Sequence, residues 1–455
     1  MVERAQYVVV GAGLVGTLLS LQLARQGKSV KLFEKRADPR QASQDAGRSI
    51  NLVLTSRGLA ALDTVGLRGQ ALRLTVPVYG RILHNLQGEQ RYQPYSRDDS
   101  RCNYAISRAT LNTFLLDQAE QAGVEIAFSQ PLTDYNLEHN TLNFEQRQLQ
   151  AERIFATDGA GSLLRQRLVS MGRVHDRVEF LSHGYKELTI PAGKQGEARL
   201  DPRGLHIWPR GQHMLMALPN RDQSMTVTLY LAHEGPVSFA ALQDAQTIEH
   251  YFSTHFPDAR PLMHDLINEF LNNPVGLLGT VYTEPWHVDE QILLLGDASH
   301  AIVPFFGQGM NAGFEDCQVL MHMIEEVSPE RLFSAFSNAR KPDADAIAHM
   351  ALENFEEMSA HVADSSFLLQ KRIEAKLGNT FPALYLSRYA MVTQTQIPYA
   401  VAKEIGAVQQ QLLQQLSMDV QHEDQLDLDA TKTLLQQKLG PLWEHHQIQP
   451  QSLLS

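Results

Sequence analysis

The chain has 455 residues, long enough for two or three domains with a hydrophobic core. Hydrophobic residues make up 43% and charged residues 20%, which is typical of a globular protein in water. A net charge of −12 without a run of lysines or arginines argues against a nucleic-acid partner, and two distant cysteines, Cys102 and Cys317, argue against a disulfide framework or a zinc ribbon.

Residues 6–35 predict a strand, a tight turn, a helix and a second strand. "QYVVV" is a short β-branched run, "GAGLVG" turns the chain, "TLLSLQLARQG" has apolar residues at helical spacing, and "SVKLFEK" is the next strand. The stretch from Tyr7 to Ala24 is apolar, but glycines interrupt it and it lacks the N-region and cleavage site of a signal peptide. We therefore expect a βαβ unit and not a membrane span.

The turn carries the pattern G-x-G-x-x-G, which is typical of dinucleotide binding. The first glycine permits the turn, the second lets a pyrophosphate approach the backbone, and the third lets helix and strand pack closely. An acidic residue that ends the second strand can bind the adenosine ribose. The predicted contacts are Gly11, Gly13, Leu14, Val15, Gly16, Glu34, Lys35 and Arg36. This pattern predicts an adenine dinucleotide but does not choose FAD over NAD.

Two further motifs favour FAD. "TDGAGSLLR" has the pattern D-G-x-x-S-x-x-R from Asp158 to Arg165, and "LLLGDASH" places Asp297 at the carboxyl end of a buried strand, where it can bind a ribityl hydroxyl. Read singly, Asp158 is also typical of a turn and Asp297 of a turn or helix N-cap. The order of the three motifs is more specific than any one of them.

Strand-like runs broken by Pro, Gly and Asn dominate residues 178–277. Alternation places members of these runs on shared faces of a sheet. These residues are Leu205 with Ile207, Met214 with Met216 and Leu218, and Thr226 with Thr228 and Tyr230. Two interpretations stay open: the wall of a ligand pocket, or a sheet core against helices.

From about residue 344 onward the chain is predicted to be mostly helical. Apolar residues recur at helical intervals between Val401 and Leu416, which indicates an amphipathic helix that packs on the body or on a partner. The last segment, residues 440–455, is polar. We therefore expect no membrane anchor and a cytoplasmic location.

The motif order resembles the single-component flavoprotein aromatic hydroxylases of the para-hydroxybenzoate hydroxylase fold group. Longer blocks narrow the resemblance to the kynurenine 3-monooxygenase family and extend it over about residues 6–413. These blocks are "GRSINLVLTSRG", "QPYSRDDS", "HGYKEL", "VPFFGQGMNAGFEDC", "ALEN" and "SRYAMVT".

The resemblance implies a set of substrate contacts. Arg81 and Tyr95 match the pair that holds the substrate carboxylate, and Asn354 and Tyr389 match further substrate-binding positions. Tyr230 stands where the family more usually has phenylalanine. The predicted pocket wall comprises Leu205, Met214, Met216, Leu218, Thr228, Tyr230, Pro304, Phe305 and Phe306.

The resemblance also implies the flavin contacts. Arg108 matches an FAD-contacting arginine, while Glu34 and Asp297 match the ribose and ribityl ligands. In "PFFGQGMN", the helix that starts near Gly309 points its positive end at the pyrimidine edge of the flavin. The predicted contacts in this loop are Gly307, Gly309, Met310 and Asn311.

Pattern and resemblance together predict an α/β fold with three parts. A Rossmann-like FAD-binding domain takes residues 1–70, 100–175 and 277–343, and an inserted antiparallel β-sheet substrate domain takes residues 71–99 and 176–276. A helical region follows at 344–455.

The resemblance implies an FAD-dependent monooxygenase that uses NADPH or NADH and O2 to hydroxylate L-kynurenine at ring position 3. The partners are then a small aromatic amino acid, O2 and NAD(P)H. Because the flavin carries the chemistry, we expect no metal and no catalytic side chain, and His183, His206 and His300 are expected to be structural. The nicotinamide preference and the choice between monomer and homodimer stay open.

Three alternatives differ in activity. The chain can be a hydroxylase of the same fold that acts on another aromatic acid, a non-hydroxylating FAD reductase, or an NAD-dependent dehydrogenase. The motifs around Asp158 and Asp297 disfavour the last.

Overall fold

The computed structural model describes residues 3–41, 51–96, 101–145, 147–360 and 365–453. Two of the family blocks extend outside these residues, at 47–50 and 97–100, as does the predicted domain boundary near residue 100. Within the described ranges the chain forms three β-sheets with α-helices packed on them.

In chain order the strands are β1 (Glu3–Val10), β2 (Val30–Phe33), β3 (Asn51–Leu54), β4 (Val76–Val78), β5 (Gly80–His84), β6 (Gln90–Pro94), β7 (Asn103–Ser107), β8 (Glu125–Ala127), β9 (Leu132–Asn136), β10 (Thr141–Phe144), β11 (Gln148–Ala156), β12 (His175–Ile190), β13 (Gly204–Pro209), β14 (Met214–Pro219), β15 (Met225–Ala232), β16 (Gly276–Glu284), β17 (His287–Val288) and β18 (Ile292–Leu294). The helices are α1 (Leu14–Arg25), α2 (Ser56–Asp63), α3 (Arg68–Leu72), α4 (Arg108–Gln121), α5 (Leu163–Ser170), α6 (Ala245–His255), α7 (Leu266–Asn272), α8 (Asp297–His300), α9 (Gly309–Glu326), α10 (Leu332–Ala360), α11 (Ser365–Thr380), α12 (Arg388–Gln394), α13 (Tyr399–Met418) and α14 (Leu428–His445).

The first sheet is built on the predicted βαβ unit. Strands β8, β2, β1, β11 and β18 lie side by side and parallel, and β9, β10 and β17 extend the sheet with antiparallel pairs. Parallel strands covered on both faces read as continuous apolar runs, and Val8, Val9 and Ile292 to Leu294 are fully buried. The N-terminus of α1 and the carboxyl ends of these strands meet at one edge, where this type of sheet binds ligands.

The second sheet has the order β16-β12-β15-β14-β13-β5-β6 and is antiparallel except for the parallel pair β5 and β13. Met214 is in register with Tyr230, and Met216 with Thr228, so the alternating residues predicted for these two strands share one face. The opposite face packs on α6 and α7, and Trp208 is a fully buried member of this cluster. The two interpretations of the alternating runs therefore apply to opposite faces of one sheet.

The remaining layers cover this arrangement. Strands β3, β7 and β4 form a small antiparallel sheet, and α10 to α14 pack together with the turn at Pro304–Phe306. In the part of the chain that the structure describes, no helix combines the length and apolar character needed to cross a membrane. The α/β fold with an added antiparallel sheet and a helical C-terminal region is confirmed, while the exact domain boundaries stay a prediction.

Candidate flavin and substrate site

The first glycine loop is shaped by contacts that exclude side chains. Gly11 has φ +105°, and a Cβ there would lie 2.5 Å from the backbone oxygen of Thr157. At Gly16 a Cβ would overlap the backbone oxygen of Gly11. By contrast, a Cβ at Gly13 would meet no described atom within 4 Å. The space in front of Gly13, at the uncapped N-terminus of α1, is where a pyrophosphate would approach the amides of the first turn, which begins with Leu14 and Val15.

Glu34 lies beside this loop at the end of β2. Its Oε2 accepts a hydrogen bond from the amide of Ala12 at 2.9 Å, and its Oε1 accepts from Nε of Arg36 at 2.7 Å. Burial raises the pKa of Glu34, but the hydrogen bonds from Arg36 and Ala12 outweigh it, so the pKa lies below its ordinary value. An ionised carboxylate at this edge fits the predicted ribose ligand. Lys35 is exposed in the following loop.

Asp158 has two roles available, one for each oxygen. Its Oδ2 accepts from the amides of Leu163 at 2.9 Å and Leu164 at 3.4 Å, so it binds the first turn of α5. Its Oδ1 is buried and has no partner among the described residues. Burial raises the pKa of this carboxyl group. Asp297 and Arg108 begin α8 and α4, and both side chains are exposed.

The second glycine loop ends in the N-terminus of α9. Gly307 has φ +66°, and Gln308 is the N-cap residue, whose backbone oxygen accepts from the amide of Ala312. The amides of Gly309 and Met310 precede this first helical bond and have no intrahelical acceptor.

Asn311 is fully engaged within the protein. Its Nδ2 donates to the backbone oxygens of Val53 at 2.8 Å and Gly307 at 2.9 Å, and its Oδ1 accepts from the amide of Thr55 at 3.0 Å. The side chain predicted as a cofactor contact thus joins β3 to the loop, which leaves only its backbone amide for a ligand.

The donors and spaces described above fit a flavin dinucleotide. The open approach at Gly13 leaves room for a phosphate, and the unpartnered Oδ1 of Asp158 can accept a hydrogen bond from a hydroxyl. The free amides at the start of α9 can donate to a ring oxygen.

The predicted carboxylate site is centred on Arg81 in β5. Its guanidinium lies 4.7 Å from the ring centroid of Tyr389, and the rings of Tyr389 and Tyr95 stack with centroids 5.3 Å apart. The Nε of Arg81 is buried and has no partner among the described residues. The hydroxyl of Tyr389 accepts a hydrogen bond from Nδ2 of Asn103 at 2.9 Å. The structure thus places an unfilled donor beside a stacked pair of tyrosines.

Aromatic side chains extend from this site toward the second glycine loop. The ring centroid of Phe306 lies 5.9 Å from that of Tyr389, and that of Phe305 lies 5.0 Å from that of Tyr230. Asn354 on α10 donates to the backbone oxygen of Phe305 at 2.6 Å, so it holds the turn that carries both phenylalanines. Pro304, at the start of the turn, is exposed.

The sheet residues fall into two clusters that share one side chain. Met214 and Tyr230 pack with the two phenylalanines, whereas Leu205 packs with Tyr95 and Leu218, and Met216 contacts both groups. Thr228 lies opposite Met216 on the same face. The structure therefore brings all the predicted pocket residues of the sheet to one face.

Several side chains at the pocket were not predicted. The ring centroid of Phe355 lies 4.5 Å from that of Phe305, and that of Tyr185 lies 6.4 Å from that of Tyr230. Glu357 pairs with Lys371 at 2.8 Å, and its carboxylate is also attracted to Arg81. Burial raises the pKa of Glu357, but these positive charges outweigh it, and the pKa lies below its ordinary value. Tyr185 could have been predicted from alternation along β12, because its side chain lies on the same face of the sheet as that of Tyr230. Phe355 and Glu357 reach the pocket from α10, and no periodicity in the sequence indicates which helix turn does so.

Comparison with known proteins agrees with this geometry. The family model described as an FAD binding domain matches residues 4–351, more than half of the chain. A kynurenine 3-monooxygenase from Myxococcus xanthus is 46% identical over 446 residues, which cover 96% of both chains. The chain belongs to the kynurenine 3-monooxygenase family. The family members from Cytophaga hutchinsonii and Xanthomonas campestris are 42% and 40% identical and cover 91% and 96% of this chain.

Solved structures support the fold of this family member. The tetrameric form of 2-methyl-3-hydroxypyridine-5-carboxylic acid oxygenase aligns with a TM-score of 0.65 at 18% identity, covering 82% of this chain and 96% of that one. PqsL from Pseudomonas aeruginosa, solved with 2-aminobenzoylacetate, aligns with a TM-score of 0.64 at 18% identity, covering 78% and 97%. At this identity the likeness concerns the fold. The predicted flavoprotein monooxygenase family is confirmed.

Proposed function

We propose that the protein is an FAD-dependent monooxygenase that uses NAD(P)H and O2 to convert L-kynurenine into 3-hydroxykynurenine. The observation that carries this proposal is the buried Nε of Arg81, unpartnered among the described residues. It lies beside the stacked rings of Tyr95 and Tyr389, and Tyr389 in turn contacts Phe306 of the aromatic turn. An amino acid with an aromatic ring has the carboxylate and the apolar surface that these two halves of the pocket require.

The polar half binds the substrate. A guanidinium presents several donors in a plane and holds a carboxylate through two hydrogen bonds, which a lysine in its place would not reproduce. Burial raises the pKa of Tyr95 well above its ordinary value, so its hydroxyl keeps its proton and can donate to the same carboxylate. Arg81 and Tyr95 thereby fix one end of the substrate.

The apolar half orients the ring and excludes water. Tyr230, Phe305 and Phe306 are at most 8% exposed and lie between the sheet and the second glycine loop. Bound FAD would supply the acceptance of hydride from NAD(P)H and the activation of O2, one atom of which enters the ring while the other leaves as water. The ring amino group of kynurenine donates electrons, so the chain needs no general base. Exclusion of water keeps the oxygen transfer coupled to the substrate.

A steady-state assay tests the proposal. The purified protein should be yellow, and L-kynurenine should stimulate NADPH or NADH oxidation and gain one oxygen atom by mass spectrometry. Arg81→Ala should raise KM for L-kynurenine at least about tenfold, since a charged hydrogen bond contributes roughly 1.5–3 kcal/mol. Arg91→Ala, on the exposed neighbouring strand β6, is the matched control and should leave KM unchanged. If L-kynurenine neither stimulates oxidation nor gains oxygen, the substrate assignment is wrong.

A further inference from the structure

A row of buried polar groups crosses the second sheet on the face opposite the pocket. Nδ1 of His84 lies 2.8 Å from Oδ2 of Asp258, and Nε2 of His84 lies 2.9 Å from Nδ1 of His206. At the far end, Nε2 of His206 lies 2.9 Å from the backbone oxygen of Asp201. Both histidines are 1% exposed, and the ring of Trp208 stacks on His84 at 4.0 Å. Bulk water therefore does not reach the two rings.

The three hydrogen bonds of this row need three protons, which is one more than two neutral histidines carry. A backbone oxygen only accepts, so Nε2 of His206 must bear a proton, and in the neutral ring its Nδ1 is then a bare acceptor. Nδ1 of His84 faces a carboxylate and must also bear a proton, which would leave its Nε2 bare. Two bare nitrogens at 2.9 Å repel each other, so a further proton must lie between His84 and His206. If the extra proton lies on Asp258 and not on His84, the row still holds three protons in total.

We propose that His84 is a buried imidazolium that donates to Asp258 and His206, and that this charged clasp holds strand β5 in the position from which Arg81 binds its ligand. Arg81 lies three residues before His84 on the same strand, with its side chain on the opposite face. The carboxylate comes from the segment between α6 and the turn at Arg260–Leu262, so the clasp ties that segment to β5 and β13. The link to Arg81 rests on the proposed function, but the protonation of the clasp does not.

The neighbouring charges agree with this placement of the proton. Desolvation lowers the pKa of His206 to about 4, so this ring is the neutral member. Burial raises the pKa of Asp258, but the hydrogen bonds from His84 and Trp208 outweigh it and the pKa lies below its ordinary value. The indole N–H of Trp208 donates to Oδ2 of Asp258 at 2.8 Å, which further favours the ionised carboxylate.

The other charged groups around His84 are already engaged. Arg210 donates to the backbone oxygens of His84 and His255, and Arg203 pairs with the carboxylate of Asp201. Glu89, in the turn after β5, accepts from Asn85. Asp258 attracts the guanidinium of Arg210 as well, and it is the carboxylate that His84 contacts directly.

Histidine ring nitrogen spectra test the protonation directly. At pH 8, where an ordinary histidine with a pKa of about 6.5 is neutral, the proposal expects a doubly protonated ring at His84, separate from any signal of His300, whose pKa is also raised. That signal should be missing in His84→Gln and present in His139→Gln, which makes the same change at an exposed histidine. If His84→Gln removes no doubly protonated signal at pH 8, the proposal is overturned.

Asp258→Asn separates the charge from the fold. An amide nitrogen at this position can donate to Nδ1 of a neutral His84, whose Nε2–H then donates to His206, so the row closes without the extra proton. Because the native state retains a proton that the unfolded chain loses, wild-type stability should fall as pH rises above about 6.5, by up to tenfold in the folding equilibrium constant per pH unit. The part of this fall that comes from His84 should be absent from Asp258→Asn, so the variant should lose less stability over this pH range than the wild type, while the contribution of His300 stays in both. Equal pH dependence of the two proteins between pH 6.5 and 9 would contradict the proposal.

Ligand binding tests the link to Arg81. The Kd of L-kynurenine for the FAD-loaded protein should rise with pH in the wild type relative to Asp258→Asn, and the ratio of the two constants should follow the loss of the doubly protonated ring. A constant ratio would overturn the link. If L-kynurenine binds neither protein, the proposed function fails, while the spectra and the unfolding data still decide the protonation.

Discussion

The hydroxyl of Tyr399 donates a hydrogen bond to Oε1 of Gln308 at 2.8 Å, and both side chains are fully buried. Gln308 is the N-cap residue of α9, whose first amides face the candidate flavin site, and Tyr399 is the first residue of α13. The guanidinium of Arg57 lies 3.9 Å from the ring centroid of Tyr399 on its other side. The hydrogen bond between Tyr399 and Gln308 ties the second glycine loop to the C-terminal helices.

Removing this hydroxyl should weaken both elements. Tyr399→Phe leaves a buried amide oxygen unpaired, so we expect a loss of about 1–3 kcal/mol in the free energy of unfolding and a weaker hold on FAD. Chemical denaturation and FAD titration measure the two effects. Tyr251→Phe is the matched control, because the buried hydroxyl of Tyr251 has no partner in the described part of the chain, and it should be near neutral. Equal effects of the two substitutions would show that the hydrogen bond to Gln308 contributes nothing.

Gly13 and Gly16 should respond differently to alanine. A Cβ at Gly13 touches no described atom within 4 Å but fills the approach to α1, so Gly13→Ala should keep the apoprotein folded and weaken FAD binding at least about tenfold. Gly16→Ala overlaps the loop backbone and should destabilise the apoprotein itself. Thermal unfolding without FAD and FAD titration separate the two cases. Tight FAD binding by Gly13→Ala would place the pyrophosphate elsewhere.

Phe306 is expected to control coupling more than cofactor binding. It is 8% exposed and stacks on Tyr389, so Phe306→Ala should open the pocket wall to water. The ratio of hydrogen peroxide formed to NAD(P)H consumed should rise several-fold with FAD content nearly unchanged, and Phe306→Leu should rise less because it fills more of the space. Loss of FAD with unchanged coupling would count against this role.

His300 and Asp316 give stability a pH dependence. Nε2 of His300 lies 2.5 Å from Oδ2 of Asp316, whose other oxygen accepts from Arg340. Burial lowers the pKa of His300, but Asp316 outweighs it, and the pKa lies above its ordinary value. A group whose pKa is raised on folding contributes fully below its unfolded pKa of about 6.5, and the contribution is lost as pH rises through the folded value.

The His300→Gln variant measures this contribution. Its deficit in thermal stability relative to the wild type should be largest below pH 6.5 and should shrink toward pH 8.5. His322→Gln, a change at a side chain that is 68% exposed, serves as the control and should show no such trend. A deficit that is constant with pH would mean that His300 is neutral in the folded protein.

Short sequence patterns predicted those parts of the fold that depend on residues close together in the chain. Gly11, Gly13 and Gly16 identify the βαβ unit because each glycine is required within one turn. Alternation identified the face that carries Met214 and Tyr230, because side chains in a strand alternate regardless of the partner strand.

Contacts between distant segments were not accessible in this way. Asn103 and Tyr389 are 286 residues apart, and Gln308 and Tyr399 are 91 apart. Such pairs depend on how the sheets and helices pack, which leaves no periodic trace in the sequence. The predicted role of Arg81 came from the family resemblance, since a lone arginine in a strand is as typical of a surface ion pair.

The separation between Asn103 and Tyr389 in the sequence also determines how long the nascent chain waits for this contact to form. At a rate of ~5–20 residues per second, a ribosome needs about 15 to 60 s to make the 286 residues that separate them. Tyr230 is made 127 residues after Asn103, so the sheet face around Met214 and Tyr230 is present for the last 159 residues of that interval, about 8 to 32 s, before the covering helices are complete. The nascent chain therefore presents an apolar surface for up to about 30 s, and this is the period in which a chaperone would contribute most to its yield.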